Sequence, residues 1–300
     1  MARGVRVLIV GYGEMGHAME ALLAPHHQVQ VWHRRAAIAL ESVAAPAEVV
    51  LFCVPTPPHA ELAERLRPHL ARHAVCVTVA KGLDDGGRTA IEALASVLGG
   101  HACGVLCGPM IAEDLRAGRF GFAGLGMQDA GATGLLQELL LPTALHLEPL
   151  TDIAGLSWCA VLKNVYAMLF GMADELRLGD NMRGYLTVAS VSEIASILSR
   201  LGADPATAYT LAGLGDLVTT ATSRGSHHHE LGQRIARGER AGLSGEGLHS
   251  LATLTRQARF AWRDLPLFVL TTRCALEGAD PRTALAQHIS QSFGKTRVPH

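Results

Sequence analysis

Short, dense apolar runs recur along the first half of the chain, with amphipathic stretches between them. The runs are Val5–Val10, Gln28–Trp32, Val49–Val54, Val75–Ala80, Ala102–Cys107, Phe120–Gly126 and Ala144–Leu147. Several are continuously apolar rather than alternating, the pattern of strands covered on both faces of a parallel sheet. The intervening stretches, such as Ala60–Leu70 and Thr89–Leu98, carry apolar residues at helical spacing. Strand and helix in alternation predict a doubly wound α/β sheet. From Thr151 onward the strand pattern stops. Thr151–Met172 and Asn181–Leu201 read as long helices, the second with Ile194, Ile197, Leu198 and Leu201 on one face and Gly202 as its stop. Asp204-Pro205 reads as the N-cap and first-turn proline of a further helix. Leu231–Ala236, Gly247–Arg263 and Leu267–Leu276 complete an all-helical second half. The pattern therefore predicts two domains, 1–150 and 151–300. Little Pro, Gly or Ser marks the boundary, as in domains that pack together rather than hang on a linker.

Composition narrows the class. Of 300 residues, 49% are hydrophobic and 18% charged, which suits two packed cores and excludes a disordered chain. The formal net charge of −1 gives no footprint for nucleic acid or an anionic membrane, so a small-molecule partner is expected. The six cysteines (Cys53, Cys76, Cys103, Cys107, Cys159 and Cys274) form no C-x-x-C pair and lie mostly in apolar runs. They read as buried hydrophobes of a reduced compartment. No run reaches the ~18 apolar residues of a membrane span, and the chain opens straight into a strand without a leader pattern. A cytoplasmic protein is expected.

The first run leads directly into Gly11-Tyr12-Gly13-Glu14-Met15-Gly16, followed by a helical stretch from His17 to Leu23. A G-x-G-x-x-G between strand and helix is the context of a dinucleotide site. The first glycine allows the tight turn, the second lets a pyrophosphate approach the backbone, and the third lets helix and strand pack closely. After the second strand, a carboxylate would select the ribose hydroxyl of NAD, but this chain has His33-Arg34-Arg35. A guanidinium fork matches a 2′-phosphate, which favours NADP, or tolerance of both cofactors, over a merely solvated loop.

Three further places invite chemistry. Lys163, in Leu162-Lys163-Asn164-Val165, lies in an otherwise apolar helix. Such a lysine is paired, snorkelling, or employed as a general acid or base whose pKa burial lowers. Ala80-Lys81-Gly82 and Gly108-Pro109 each follow a strand, at the carboxyl edge where open α/β sheets bind ligands. Asp216 stands in the glycine-flanked Gly213-Leu214-Gly215-Asp216-Leu217, either as a site carboxylate or as a helix N-cap.

Taken in order, Gly11–Gly16, Val49–Pro55, Ala80–Gly82, Gly108-Pro109, Leu162–Asn164, Gly179–Asn181, Gly213–Leu217 and Glu246-Gly247 make this chain resemble the bacterial-type NAD(P)-dependent glycerol-3-phosphate dehydrogenases over essentially its whole length. The resemblance implies a Rossmann-type N-terminal domain, a helical C-terminal domain and a homodimer. It also implies a role in glycerophospholipid metabolism, through hydride transfer between NAD(P) and dihydroxyacetone phosphate or glycerol 3-phosphate. It places the family's catalytic lysine on Lys163, which would protonate the carbonyl oxygen, with Asn164 beside it, a second active-site lysine on Lys81 and the active-site aspartate on Asp216. Cofactor contacts fall on Gly11, Tyr12, Gly13, Glu14, Met15, Gly16, Arg34, Lys81, Ala112 and Glu246, and substrate contacts on Lys81, Gly108, Ser226, His227 and His228. No metal is implied.

The departures gather at the substrate phosphate. Where the family carries Ser-Arg-Asn-Arg, this chain has Ser226-His227-His228-His229, and Met110 replaces a threonine after Gly108-Pro109. An arginine fork on phosphate is a strong contact, worth ~1.5–3 kcal/mol per hydrogen bond, that a neutral histidine replaces poorly. A protonated histidine would serve in part, or Arg224 would swing in. The histidine run also fits a solvated helix start, a tag remnant or a metal site, although three consecutive helical residues cannot all face one ion. Two other functions stay open: reduction of a small non-phosphorylated oxo acid or carbonyl, and an NADPH-binding sensor without catalysis.

Overall fold

The computed structural model describes residues 4–223 and 225–294. The chain divides into two compact units, Met1–Trp158 and Cys159–His300. The units part eight residues beyond the 150/151 boundary that the pattern suggests, inside a helix rather than at a loop.

The first unit is built on strands β1 (Arg6–Val10), β2 (Gln28–Trp32), β3 (Val49–Phe52), β4 (Val75–Thr78), β5 (Ala102–Cys107), β6 (Gly121–Gly126) and β7 (Leu145–Leu150). Its helices are α1 (Glu14–Leu23), α2 (Leu40–Ala44), α3 (His59–Leu66), α4 (Ala90–Val97), α5 (Ala112–Arg116) and α6 (Ala130–Leu140). The strands form one sheet in the order β2-β1-β3-β4-β5-β6-β7. β3 and β4 are buried along their whole length, which is why their sequences do not alternate. Two apolar layers cover the sheet. One contains Ile9, Met19, Leu51, Val77 and Leu136, the other Leu8, Phe52, Leu66, Cys76 and Leu94.

The doubly wound sheet is parallel except at one seam. β5 and β6 pair antiparallel, through Val105 with Gly126 and Cys107 with Gly124, while β6 and β7 run parallel to each other. No apolar pattern distinguishes a reversed buried strand from a parallel one. β6 is rich in glycine for a packing reason: a Cβ on Gly124 would sit 2.8 Å from the Leu156 side chain, and one on Gly126 2.9 Å from Val105.

The second unit contains most of α7 (Ile153–Glu175), then α8 (Asp180–Arg200), α9 (Asp216–Thr222), α10 (His227–Ala236), α11 (Glu246–Gln257), α12 (Pro266–Ala275) and α13 (Pro281–Phe293). No strand occurs in it among the described residues. A 3₁₀ turn, Pro205–Tyr209, starts at the expected Asp204 cap, whose carboxylate accepts the Ala206 N–H. α7 corrects the membrane reading: it is long and apolar enough to cross a bilayer, yet 89% of its most apolar window is buried inside the protein. A lipid-facing helix would expose those side chains, so its hydrophobicity is that of a core helix. α11 stops at Gln257, short of the expected Arg263, because Ala258 turns left-handed (φ 48°). α1 and α10 begin earlier than the apolar pattern suggests, since Glu14 and Gly16 stand in the first turn of one and three histidines in that of the other.

Candidate active site

The glycine turn after β1 is held by a Gly11 N–H donated to Trp32 O (2.8 Å). Two of the three glycines have a steric reason within the protein. Gly11 has φ +108°, and a Cβ there would fall 2.5 Å from Val54 and 2.6 Å from Cys53 O, at the end of β3. A Cβ on Gly16 would lie 2.2 Å from Gly11 O, so the first turn of α1 is seated directly on the strand's exit. A Cβ on Gly13 would meet nothing within 4 Å. This open cradle stands at the N-cap of α1, which has no side-chain cap, and helix N–H groups there suit an anion. The turn lies between β1, β2 and β3, where the strand order reverses. These residues fit a dinucleotide diphosphate.

α1 starts at Glu14, so Glu14, Met15 and Gly16 form its first turn rather than a loop before it. The Tyr12 ring packs against His17 (centroids 3.7 Å apart) and its hydroxyl donates to Glu20 (2.5 Å). Arg34 and Arg35 are exposed on the turn after β2, and neither guanidinium has a partner among the described residues. Ala112 is the first residue of α5.

At the carboxyl ends of β4 and β5 the structure joins two of the sequence motifs. Lys81 Nζ donates to Gly108 O at 3.0 Å. Gly108 has φ +153°, and a Cβ there would clash with Phe122 O at 2.5 Å. The β4 exit is fixed by a buried relay. The Ala80 N–H donates to Thr78 Oγ1 (3.1 Å), which lies 2.8 Å from His59 Nε2. His59 Nδ1 is 3.1 Å from both Pro55 O and Thr56 O, two acceptors, so the proton resides on Nδ1 and Nε2 accepts from Thr78. Burial pushes the His59 pKa down to about 4.

In the second unit, α7 delivers Lys163 to α9. Lys163 Nζ donates to Thr220 Oγ1 (2.5 Å) and pairs with Asp216 Oδ1 (3.2 Å). Asp216 and Thr220 stand one turn apart on one face of α9, and the Thr220 hydroxyl reaches Asp216 Oδ1 at 3.5 Å. Lys163 and Asp216 retain only 6% and 3% of their side-chain exposure. A snorkelling lysine is thereby excluded. So is the N-cap reading of Asp216, because Gly215 is the cap and makes no side-chain bond. The glycine segment before it is a single π-helical turn, Leu211–Gly215, rather than a loop, a form that recurs at functional sites. Asn164 is buried, and the start of α11 rests on it: a Cβ on Gly247 would lie 2.6 Å from Asn164 O and 3.0 Å from His228 Nδ1. Asn164, His228 and the turn carrying Glu246 are therefore neighbours.

Both halves of the chain match known proteins. The family described as NAD-dependent glycerol-3-phosphate dehydrogenase is matched by its N-terminal part over residues 35–132 and by its C-terminal part over 152–286. A glycerol-3-phosphate dehydrogenase (NAD(P)+) of Gloeobacter violaceus is 31% identical over 294 residues, covering 94% of this chain and 96% of that protein. One from Deinococcus radiodurans is 32% identical, covering 89% of each. The chain belongs to the NAD-dependent glycerol-3-phosphate dehydrogenase family. Among solved structures, the glycerol-3-phosphate dehydrogenase of Coxiella burnetii superposes with a TM-score of 0.86 at 25% identity, over 95% of this chain and 99% of that one.

Against the glycerol-3-phosphate dehydrogenase pattern, two departures resolve differently. Met110 is buried in the apolar layer of the sheet with Leu106 and Leu115, so it fills core volume and offers nothing to a ligand. The histidine run forms the first turn of α10, capped by Ser226, whose Oγ accepts the His229 N–H (3.3 Å). That geometry is the helix start weighed from the sequence, with three different surroundings. His227 is exposed, His228 is half-buried against α11, and His229 Nε2 is 2.7 Å from Asp174 Oδ2. Arg224 lies outside the described residues. Thr220, which follows the Asp216 motif, and His59 were given no role from the sequence. The i,i+4 spacing from Asp216 could have suggested Thr220, whereas His59 gave no signal in its proline-rich turn.

Proposed function

We propose that the protein interconverts dihydroxyacetone phosphate and glycerol 3-phosphate using NADPH or NADH. The observation that carries this reading is the buried Lys163–Asp216–Thr220 cluster. A charged pair held away from water costs several kcal/mol per ion in desolvation and is retained where its charge is used. A bound nicotinamide supplies or accepts the hydride. Gly11–Gly16 hold its diphosphate, with Tyr12, Ala112 and Glu246 as further cofactor contacts. Lys163 protonates the carbonyl oxygen as charge develops there, and takes the proton back in the reverse direction. Asp216 and Thr220 fix the direction of the ammonium, and Asn164 orients the oxygen. Lys81, held at Gly108, contributes a second positive charge. Ser226, His227 and His228 take the substrate's phosphate through the α10 N-terminus and imidazole N–H donors. Arg34 and Arg35, two unpaired guanidinia, favour the 2′-phosphate of NADPH. The domains would divide the work, the first for the nucleotide and the second for proton transfer. Six free cysteines support a reducing, cytoplasmic setting, and a homodimer is the expected assembly.

A second reading, reduction of a non-phosphorylated oxo acid or carbonyl, is favoured by one observation: the first turn of α10 presents imidazoles where an arginine fork would grip phosphate. NADPH and NADH oxidation with dihydroxyacetone phosphate tests both, comparing wild type with Lys163→Ala and Arg34→Ala/Arg35→Ala. Turnover that falls at least a hundredfold in Lys163→Ala supports the first reading. NADPH binding with no turnover on this substrate sinks it. In that case, activity gained by His227→Arg/His228→Asn points to the second reading. NADPH binding with no turnover on any carbonyl would leave a sensor.

A further inference from the structure

The first turn of α1 carries a carboxylate where an anion is to be received. Glu14 directly follows Gly13, the open position of the turn, and its side chain takes no part in capping the helix. An acidic residue is ordinarily welcome at a helix N-terminus. Here it stands beside the ground that a diphosphate would occupy, and like charges across a binding interface disfavour association.

Arg116, the last residue of α5, meets Glu14 in two ways. Its guanidinium donates to Glu14 Oε2 at 2.6 Å and to the Glu14 main-chain oxygen at 3.3 Å. The second contact fixes the guanidinium to the helix backbone as well as to the mobile end of a side chain. α5 is anchored by Leu115, buried in the same apolar layer as Met19 and Leu22 of α1. The nearby Asp114 is taken by Arg119 at 2.6 Å, which leaves Arg116 to Glu14.

We propose that Arg116 is a positioning residue for the cofactor: it draws the Glu14 carboxylate aside and cancels its charge, so that the diphosphate of NAD(P)H meets a net-positive helix end. The proposal rests on the reading of Gly11–Gly16 as a dinucleotide turn. It differs from a direct phosphate contact, because Arg116 matters only while Glu14 is charged.

The test is a double-mutant cycle on the full chain, read as the Kd of NADPH by fluorescence titration. Arg116→Ala is expected to weaken binding about tenfold at low salt, equivalent to ~1.4 kcal/mol. The loss should shrink at high ionic strength. Arg116→Lys should recover most of it, and Glu14→Gln should bind more tightly than Arg116→Ala by at least the same factor. In the Glu14→Gln background, Arg116→Ala should cost less than twofold. With NADPH saturating, kcat should not move, whereas a general structural lesion would lower it. An equal loss in both backgrounds would show that Arg116 touches the phosphate itself and overturn the proposal. No loss in either would reduce the pair to an inert surface contact. Should Arg116→Ala not fold, Arg116→Gln carries the same comparison. Wild type that binds neither NADPH nor NADH removes the dinucleotide reading, and the proposal with it.

Discussion

Replacing Lys163 and Asp216 singly and together separates their structural and chemical roles. Both side chains are nearly dry and lie 3.2 Å apart. Removing one leaves the other charge buried without its counter-ion, which costs about 3–5 kcal/mol. For a helical unit of Cys159–His300, that corresponds to a fall of roughly 10–20 °C in thermal midpoint. Lys163→Met and Asp216→Leu are each expected to show it. The double variant replaces the pair with apolar groups of similar volume, and its midpoint should return to within a few degrees of wild type, because such swaps are often neutral or stabilising. Turnover should follow a different rule. All variants lacking Lys163 should lose ~10²–10⁴ in kcat with NADPH binding retained, since a general acid contributes that much. The assays are circular-dichroism melting and NADPH oxidation on the same preparations. A double variant as unstable as the sum of the singles would refute the pairing argument. A Lys163→Met enzyme with wild-type kcat would refute the proton-transfer role, whatever its stability.

Two other perturbations probe the first unit. Gly16→Ala would force a methyl to within 2.2 Å of Gly11 O, so it should lower stability by ~1–3 kcal/mol and abolish NADPH binding; Gly13→Ala, which meets open space, should keep the melting temperature and weaken binding alone. His59 titrates near 6.5 in an open chain and at about 4 in its buried relay, so the folded state binds fewer protons. Its contribution is complete above pH 6.5 and is lost as pH falls toward 4, a span worth roughly 3 kcal/mol. Urea midpoints from pH 7 to 4 should therefore fall more steeply for wild type than for His59→Asn; parallel slopes would contradict the relay.

The architecture was legible where apolar pattern and packing agree. Val49–Phe52 and Val75–Thr78 read as buried strands because they are almost wholly apolar on both faces, the one polar member, Thr78, being satisfied by His59 and the Ala80 N–H. The turn Gly11–Gly16 was legible between strand and helix from its spacing, and the structure gives Gly11 and Gly16 a steric reason while leaving Gly13 open. The reversal at β6 was not legible, since a strand buried on both faces looks the same in either direction. α7 read as a helix but not as one of span length and apolarity, because Lys163 and Asn164 interrupt its apolar run; its burial among neighbours marks it as a core helix. At the site, Lys163 stood out because charge in an apolar helix needs a reason. The partnership with Thr220 did not, since it depends on how α9 is aimed at α7. Met110, read from the sequence as a departure that offers a substrate no hydrogen bond, lies in the core.

The mounting of α10 has a consequence for how this protein can change. A Cβ on Gly171 of α7 would lie 1.9 Å from His229 O, and one on Gly232 of α10 would lie 2.0 Å from Met168 O. The two helices therefore touch backbone to backbone, and the crossing is indifferent to the exposed side chain at 227. Substitutions there alter what the turn presents without moving the turn, so specificity can drift by single steps through folded intermediates. A larger residue at Gly171 or Gly232 would instead displace the whole turn at once. Selection acting on this segment has a wide choice of chemistry and almost none of position.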